Sequence, residues 1–466
     1  MLRKTRIIIS SIVLIAITLL FLDDTGVLHR FLSWIAKIQL LPAILAFNVV
    51  VVAAVLLFTL LFGRVYCSVI CPLGIFQDLF SWLGRFRKKN RFYYSKPSNV
   101  LRYLLMAVFV LLLLVGFNAL AMLIAPYSLY GRMVSQLLHP VAAWATAPVM
   151  LVVVAVSALL VALMAFFYGR LWCNTVCPVG SLLSLVSRHS LFVPSIDTSK
   201  CNGCKKCARN CKSMCIDPDN HTVDYSRCVV CMDCIDNCKQ GAISFGRRKP
   251  KSAAADSLTD KGGERRKILS ATAAVAVAST VSAQKKRFDG GLAAIEQKTL
   301  PKRHVPLKPF GSSGMKNFTS YCSACQLCVT ECPSHILRPS SDLKTFMQPE
   351  LQYDVDYCRT SCVRCSEVCP AGAIDRITPQ EKTSISIGFA VVLPHNCLEF
   401  RGESCGMCAR KCPVAAISMV SDPATGHRVP SVNENRCIGC GACEYYCPSR
   451  PIGAIYVEGR EAHTRV

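Results

Sequence analysis

Cys201-x2-Cys204-x2-Cys207-x3-Cys211 recurs 27 residues later as Cys228-x2-Cys231-x2-Cys234-x3-Cys238, and a chain written this way must fold around whatever its thiols bind. Three closely spaced thiolates can cap three irons of a cubane from one tight loop, while the fourth, one helical turn on, points to the neighbouring cluster. That is the two-cluster ferredoxin spacing. It predicts two ligand sets, Cys201, Cys204, Cys207 with Cys238, and Cys228, Cys231, Cys234 with Cys211. Cys215 is a fifth thiol at another x3 step and could replace Cys211, and Lys212 and Lys239 stand where proline usually follows the fourth cysteine. Zinc also uses CxxC pairs but seldom CxxCxxCxxxC twice in tandem, so iron–sulfur is the reading.

Four more sets follow: Cys322, Cys325, Cys328, Cys332; Cys358, Cys362, Cys365, Cys369; Cys397, Cys405, Cys408, Cys412; and Cys437, Cys440, Cys443, Cys447. Each ends before a proline, Pro333, Pro370, Pro413 or Pro448, which ends the turn and withholds a backbone donor. Sixteen such thiols imply four further 4Fe-4S clusters, six in all. Spacing leaves two pairings open. Neighbouring sets could exchange fourth ligands, or the first could pair with the fourth and the second with the third. The 29 cysteines are odd in number and the chain begins with apolar runs, so the spacing points away from a disulfide framework.

The chain is 52% hydrophobic and 18% charged, the balance of a membrane protein. Four apolar runs, Ile7 to Leu22, Leu40 to Phe62, Tyr103 to Ala125 and Val141 to Tyr168, are each about long enough to cross a ~30 Å core. Basic residues gather before the first run (Arg3, Lys4, Arg6) and between the second and third (Arg64, Arg85, Arg87, Lys88, Lys89, Arg91, Lys96), which puts the ends of the even-numbered helices in the cytoplasm. The segment Phe31 to Leu41 reads equally as an interfacial helix or a loop, with no function expected of it. The fold class expected is an α-helical membrane bundle of four helices, or five, with α+β ferredoxin-like domains holding 4Fe-4S clusters.

Just inside the membrane lie Gly63-Arg64-Val65-Tyr66-Cys67-x3-Cys71-Pro72 and Gly169-Arg170-Leu171-Trp172-Cys173-x3-Cys177-Pro178, a repeat 106 residues apart. An i, i+4 pair puts both thiols on one helix face, and two such faces offer four thiolates. Cys67, Cys71, Cys173 and Cys177 could hold a seventh cluster, form two redox dithiols, or be structural thiols anchored by Tyr66 and Trp172. No run contains a histidine and no CxxCH occurs, so haem is not expected, and cluster chains with a quinone as substrate must do the work. His29, His139, His189 and His221 read as solvated. The net charge of +24 is accounted for largely by membrane-flanking loops and the linker, with no stripe that would suit nucleic acid.

The organisation expected is a membrane domain over 1–190, a cytoplasmic two-cluster ferredoxin over 191–246, a linker over 247–264, a signal or anchor helix over 265–284, a second linker over 285–320 and a four-cluster domain over 321–466. Residues 1–248 resemble the NapH type of quinol-dehydrogenase membrane subunit, on the two Cys-x3-Cys-Pro motifs and the tandem ferredoxin sets. From Arg265 onward the chain resembles the NapG/MauM ferredoxin-type proteins, so the whole reads as a natural fusion of the two.

The fusion implies export. Thiols threaded unfolded into an oxidising periplasm would be exposed to disulfide formation before any cluster was inserted, so the last domain should fold in the cytoplasm and cross already loaded. Glu264-Arg265-Arg266-Lys267-Ile268-Leu269, followed by the weakly apolar run to Ala283, resembles a twin-arginine signal. Val281-Ser282-Ala283 resembles a cleavage site, which leaves anchored and released forms both open. The resemblance implies a multi-pass protein of the bacterial inner membrane, in contact with lipid, passing electrons from quinol or cytoplasmic donors to a periplasmic oxidoreductase or electron-carrier subunit. The alternative is a membrane-anchored reductase that matures a metalloenzyme complex, using Cys67, Cys71, Cys173 and Cys177.

Overall fold

The computed structural model describes residues 2–23, 27–87, 92–96, 98–115, 117–138, 148–248, 287–288, 294–295, 298–423 and 426–466. Arg265, Arg266 and the run 268–283 lie outside the described residues.

Among the described residues, two helices are long and apolar enough to cross a membrane, Leu2–Leu22 and the 19 residues Met150–Tyr168. The helices of the other two runs, Val49–Phe62 and Asn99–Val115, have 14 and 17 residues, about 21 and 25 Å of rise. The run expected from Leu40 to Phe62 is not one helix. Leu40–Leu45 stops at Ala46, Phe47 adopts a left-handed φ of 51°, and Asn48 restarts the chain by accepting from the Val51 amide at 3.2 Å. The run from Tyr103 also ends early, at Val115, before a single turn Asn118–Ala121. Hydropathy averages over such breaks because the residues on both sides are equally apolar. The segment around Phe31 to Leu41 is two helices, Val27–Lys37 and Leu40–Leu45, separated at Gln39.

The four apolar helices present large side chains outward, Val50 and Leu114 being 78% and 80% exposed. A surface this apolar marks a membrane or a partner. Opposite ends of Leu2–Leu22 meet different parts of the chain. At its start, Arg3 pairs with Asp233 at 2.8 Å. At its end, Phe21 packs on Gly131, which itself backs onto the Cys325 carbonyl. The residues after Val115 continue this second contact: Asn118 donates to the Thr319 carbonyl at 3.3 Å and Gln136 to Gln326 Oε1 at 2.7 Å. The first ferredoxin-like segment and the C-terminal one therefore cap opposite ends of a helix about 31 Å long.

Both caps are built from short antiparallel strand pairs and single helical turns. Phe192–Ile196 pairs with Ile243–Arg247 in the first, and Ile385–Val392 with Ile455–Arg465 in the last. Elements this short bury little hydrocarbon, and cysteine sulfurs make up part of the buried core itself. Such segments depend on what the thiols bind. The first cap is locked to the helices by an ion network. Asp78 accepts from Arg170 at 2.7 Å, Lys212 at 2.7 Å and Arg6 at 3.0 Å. Burial alone would raise its pKa, but the Arg170 and Lys212 charges hold the carboxyl well below the usual range.

Candidate iron-sulfur centres

The Cys-x3-Cys-Pro repeats fold alike and face each other. Cys67 lies on the turn Tyr66–Val69 and Cys173 on Leu171–Thr175, and in each repeat the second cysteine precedes a proline that starts the next helix, Pro72–Arg87 or Pro178–Ser187. Proline at that position forfeits no helical hydrogen bond. Cys177 caps its helix, accepting from the Gly180 amide at 3.4 Å. The glycines permit close approach, since a Cβ on Gly74 would stand 2.1 Å from the Cys67 carbonyl, and one on Gly180 equally close to that of Cys173.

Each repeat also grips the other. Arg64 donates to the Cys173 carbonyl at 3.0 Å and to Asn174 Oδ1 at 2.9 Å, while Arg170 donates to the Cys67 carbonyl at 2.5 Å. The four thiols are buried at 2–3% exposure and within electrostatic reach of one another. Gln77 donates to the Cys173 sulfur at 3.2 Å, and the Cys177 thiol pulls the Cys173 pKa down by donating to it. Four convergent thiols flanked by two wholly buried guanidiniums, Arg64 and Arg170, suit an anionic four-iron group. Arg170 already has Asp78 as a counter-charge at 2.7 Å, so it is Arg64 whose charge a cluster at the four thiols would balance.

In the first ferredoxin-like segment, Cys201, Cys204, Cys207 and Cys238 line one cavity, and Cys228, Cys231 and Cys234 line another together with both Cys211 and Cys215. The Cys211 and Cys215 sulfurs are 3.5 Å apart, so either can serve as fourth ligand. His221, expected in solvent, is half-buried and lines the first of these cavities.

In the C-terminal segment the fourth cysteine of each set lies toward the cysteines of the neighbouring set. Cys369 faces Cys322, Cys325 and Cys328, and Cys332 faces Cys358 and Cys365. Cys447 lines a cavity with Cys397, Cys405 and Cys408, and Cys412 faces Cys437 and Cys440. The two pairs join where the Cys358 amide donates to the Cys440 carbonyl at 2.9 Å. These contacts give a linear order of four sites, with the Cys322 site nearest the apolar helices and the Cys397 site farthest. A recurrent turn shapes the loops: the residue two before the third cysteine is left-handed at Lys205, Met232, Gln326, Gly406 and Gly441. Only two of the five are glycine, so the others hold a strained conformation that bound clusters would help to stabilise. Among the described residues, no three histidine, cysteine or carboxylate side chains gather tightly enough for one metal ion.

Sequence reasoning assigned no role to several residues around these sites. Gln39 accepts from the buried Tyr66 hydroxyl at 2.9 Å and donates to the Ile70 carbonyl at 3.3 Å, so the segment expected to do nothing touches the backbone beside Cys71. The helix Leu40–Leu45 leads from there to Ala46, whose Cα lies 3.6 Å from the Cβ position of Gly372, three residues past Cys369. Tyr127 lies in the electrostatic field of Cys325, Cys369 and Tyr66 together. Lys382 is 1% exposed, with its ammonium 3.1 Å from the Cys358 sulfur and over the Phe310 ring. Only Arg64 and Arg170 carried a visible signal, as the shared Gly-Arg of the repeat.

Residues 44–91 and 149–196 both match a family model described as a 4Fe-4S binding domain, and 321–374 and 403–450 each match a 4Fe-4S dicluster domain. Similar proteins include the methylamine utilization ferredoxin-type protein MauM of Methylobacillus flagellatus, 32% identical over 165 residues that cover 34% of this chain and 70% of that protein. MauM of Paracoccus denitrificans is 34% identical over 34% of this chain and 73% of its own length. The ferredoxin-type protein NapG of Escherichia coli is 33% identical over 34% of this chain and 77% of its own. No solved structure matches.

Proposed function

The C-terminal part of this chain belongs to the MauM and NapG family of ferredoxin-type proteins, and from that premise we propose that the whole chain is a membrane-embedded relay carrying electrons from a quinol to an oxidoreductase on the far side. The protein is an iron–sulfur, ferredoxin-type electron-transfer protein. The finer reading has seven clusters. Twenty-four cysteines hold six of them, with Cys211 or Cys215 interchangeable at one position, and Cys67, Cys71, Cys173 and Cys177 hold the seventh.

One observation carries the reading: the four facing thiols lie between the two ferredoxin-like caps. The first cap touches them directly, since the Arg170 amide donates to the Lys212 carbonyl at 2.8 Å beside Cys211. The last cap connects to them through Gln39 and the helix Leu40–Leu45, so the thiols break the ~30 Å of a bilayer core into shorter steps. Electron tunnelling falls off exponentially with distance, so this placement matters more than any other feature of the fold.

A 4Fe-4S cluster, when bound, takes up and returns one electron at a time. The chain's residues hold the sites at fixed spacing, keep water out and set the local charge. Arg64 and Arg170 offset the negative charge at the central site, and Lys382 does so at the Cys358 site. Quinol supplies the electrons, and the C-terminal sites deliver them to a periplasmic oxidoreductase or electron-carrier subunit. The protein on this reading is a multi-pass protein of the bacterial inner membrane, and the two shorter apolar helices span it with help from flanking helical turns and thinned lipid.

Protease protection of a C-terminal tag, in the native chain and in Arg265→Lys with Arg266→Lys, tests the sidedness. Periplasmic exposure that vanishes in the double variant is the expected result. A cytoplasmic tag in both proteins would sink the transmembrane relay.

A further inference from the structure

A cavity of about 310 Å3 opens where the helices Leu2–Leu22 and Pro72–Arg87 meet the first ferredoxin-like segment. We propose that this cavity holds the ring of a membrane quinone, an inference that rests on the quinol reading above and gives it a location. The volume lies at the small end of the range for ligand sites. One wall is apolar and faces outward, with Ile7, Leu79 and Trp82 at 41%, 46% and 52% exposure. A ring can therefore enter sideways from the lipid and leave its isoprenoid tail there.

The floor is polar and electrically closed. Lys212 bridges Asp78 at 2.7 Å and Asp233 at 3.5 Å, Arg6 completes Asp78, and Arg3 and Arg85 complete Asp233 at 2.8 and 3.4 Å. Every cation and carboxylate lining the cavity is already in a pair. An anionic phospholipid headgroup would have to break those pairs, whereas a neutral ring would not. Arg6, which lines the cavity, is 10% exposed and its Nε–H is buried without a partner, so an oxygen of the ring reaching it would satisfy a donor that is otherwise unpaired.

Proximity to the clusters comes from the same residues. Lys212 follows Cys211, and Asp233 lies between Cys231 and Cys234, so a ring on this floor sits against the loops of the second cluster set. The chain itself supplies the contrast. All four C-terminal sets place a proline after the fourth cysteine, but Cys211 is followed by a lysine that is 4% exposed and committed to the cavity floor. Oxidation here breaks the two O–H bonds of the hydroquinone. Its two electrons leave singly to the iron–sulfur clusters, which are reduced, and its two protons leave to water past Arg3 and Asp236, the exposed edge of the network at 31% and 37%.

The test is photolabelling of the cluster-loaded full chain in lipid nanodiscs with an azido-naphthoquinone, followed by peptide mapping. The expected result is label on Leu2–Leu22 and Pro72–Arg87, competed by unlabelled menadione. Leu79→Trp should fill the cavity from its exposed side and reduce labelling roughly tenfold or more. Ser11→Phe on the other rim serves as a second filling, and an unchanged cluster spectrum shows that each variant is folded. Label confined to another part of the chain, label indifferent to both fillings, or label displaced by phosphatidylglycerol but not by menadione would each overturn the location while leaving the quinol reading standing. No competable label anywhere would overturn both.

Discussion

Replacing Lys382 by methionine should lower the reduction potential of one cluster and leave the others alone. The ammonium sits 3.1 Å from the Cys358 sulfur, wholly buried, and also donates to the carbonyls of Arg359 and Cys362. A positive charge there favours the reduced cluster, which is the more negative form. Two unit charges 4 Å apart interact by about 4 kcal/mol at an effective dielectric of 20. The added electron spreads over a core farther from the ammonium than the sulfur is, and roughly halving the interaction gives about 2 kcal/mol. For one electron, 59 mV corresponds to about 1.4 kcal/mol, so the midpoint should fall by about 80 mV. Lys382→Arg keeps the charge and should move it little. The methionine variant also leaves two buried carbonyls without their donor, a cost of about 1–3 kcal/mol in stability. Redox titration followed by electron paramagnetic resonance reads the potential separately from the folding cost. An unchanged midpoint in an intact Lys382→Met cluster, or a rise, would refute the electrostatic argument.

Changing Cys67, Cys71, Cys173 and Cys177 together to serine should remove one cluster in seven, read as iron and acid-labile sulfide per chain, and leave the spectra of the other six in place. Gly180→Ala puts a methyl group 2.1 Å from the Cys173 carbonyl and should cost about 3 kcal/mol or more of stability; thermal unfolding and loss of the same central cluster would check it, and a neutral alanine would mean that the Cys173 turn is not packed this closely on the helix that follows it. Burial holds the His463 pKa down at about 4, against an ordinary 6.5. The folded form stays neutral while the unfolded chain takes up the proton, so stability is full above pH 6.5, declines between 6.5 and 4, and levels off below. His463→Gln should remove that decline, about 3 kcal/mol, in chemical denaturation of the full chain across this pH window.

Ligand spacing is local chemistry, which is why the cysteine sets could be read directly from the chain, and the thiols of three of those sets line cavities together. Pairing between sets is long-range. Nothing near Cys369 in sequence announces that it faces Cys322, because the contact depends on how two loops dock. The same limit explains Lys212. In sequence it is a missing proline; only when Asp78 is brought within 2.7 Å across more than a hundred residues does it become a strut. The break at Phe47 was hidden by apolar residues on both sides, and Gln39 by its place in a segment without motif. The Gly-Arg repeat shows the reverse case. Arg64 and Arg170 stand at equivalent positions in both copies, and the structure gives that repetition a cause, each guanidinium holding the other copy's cysteine turn.

The reading stands or falls on whether electrons cross by way of Cys67, Cys71, Cys173 and Cys177. Single-turnover reduction of the cluster-loaded chain in nanodiscs by a quinol analogue, frozen at intervals for electron paramagnetic resonance, tests this directly in the native protein and in the four-serine variant. The relay predicts that in the variant the Cys201 and Cys228 clusters are reduced as fast as in the native chain while the four C-terminal clusters stay oxidised. C-terminal clusters reduced at the native rate without those four thiols would contradict it.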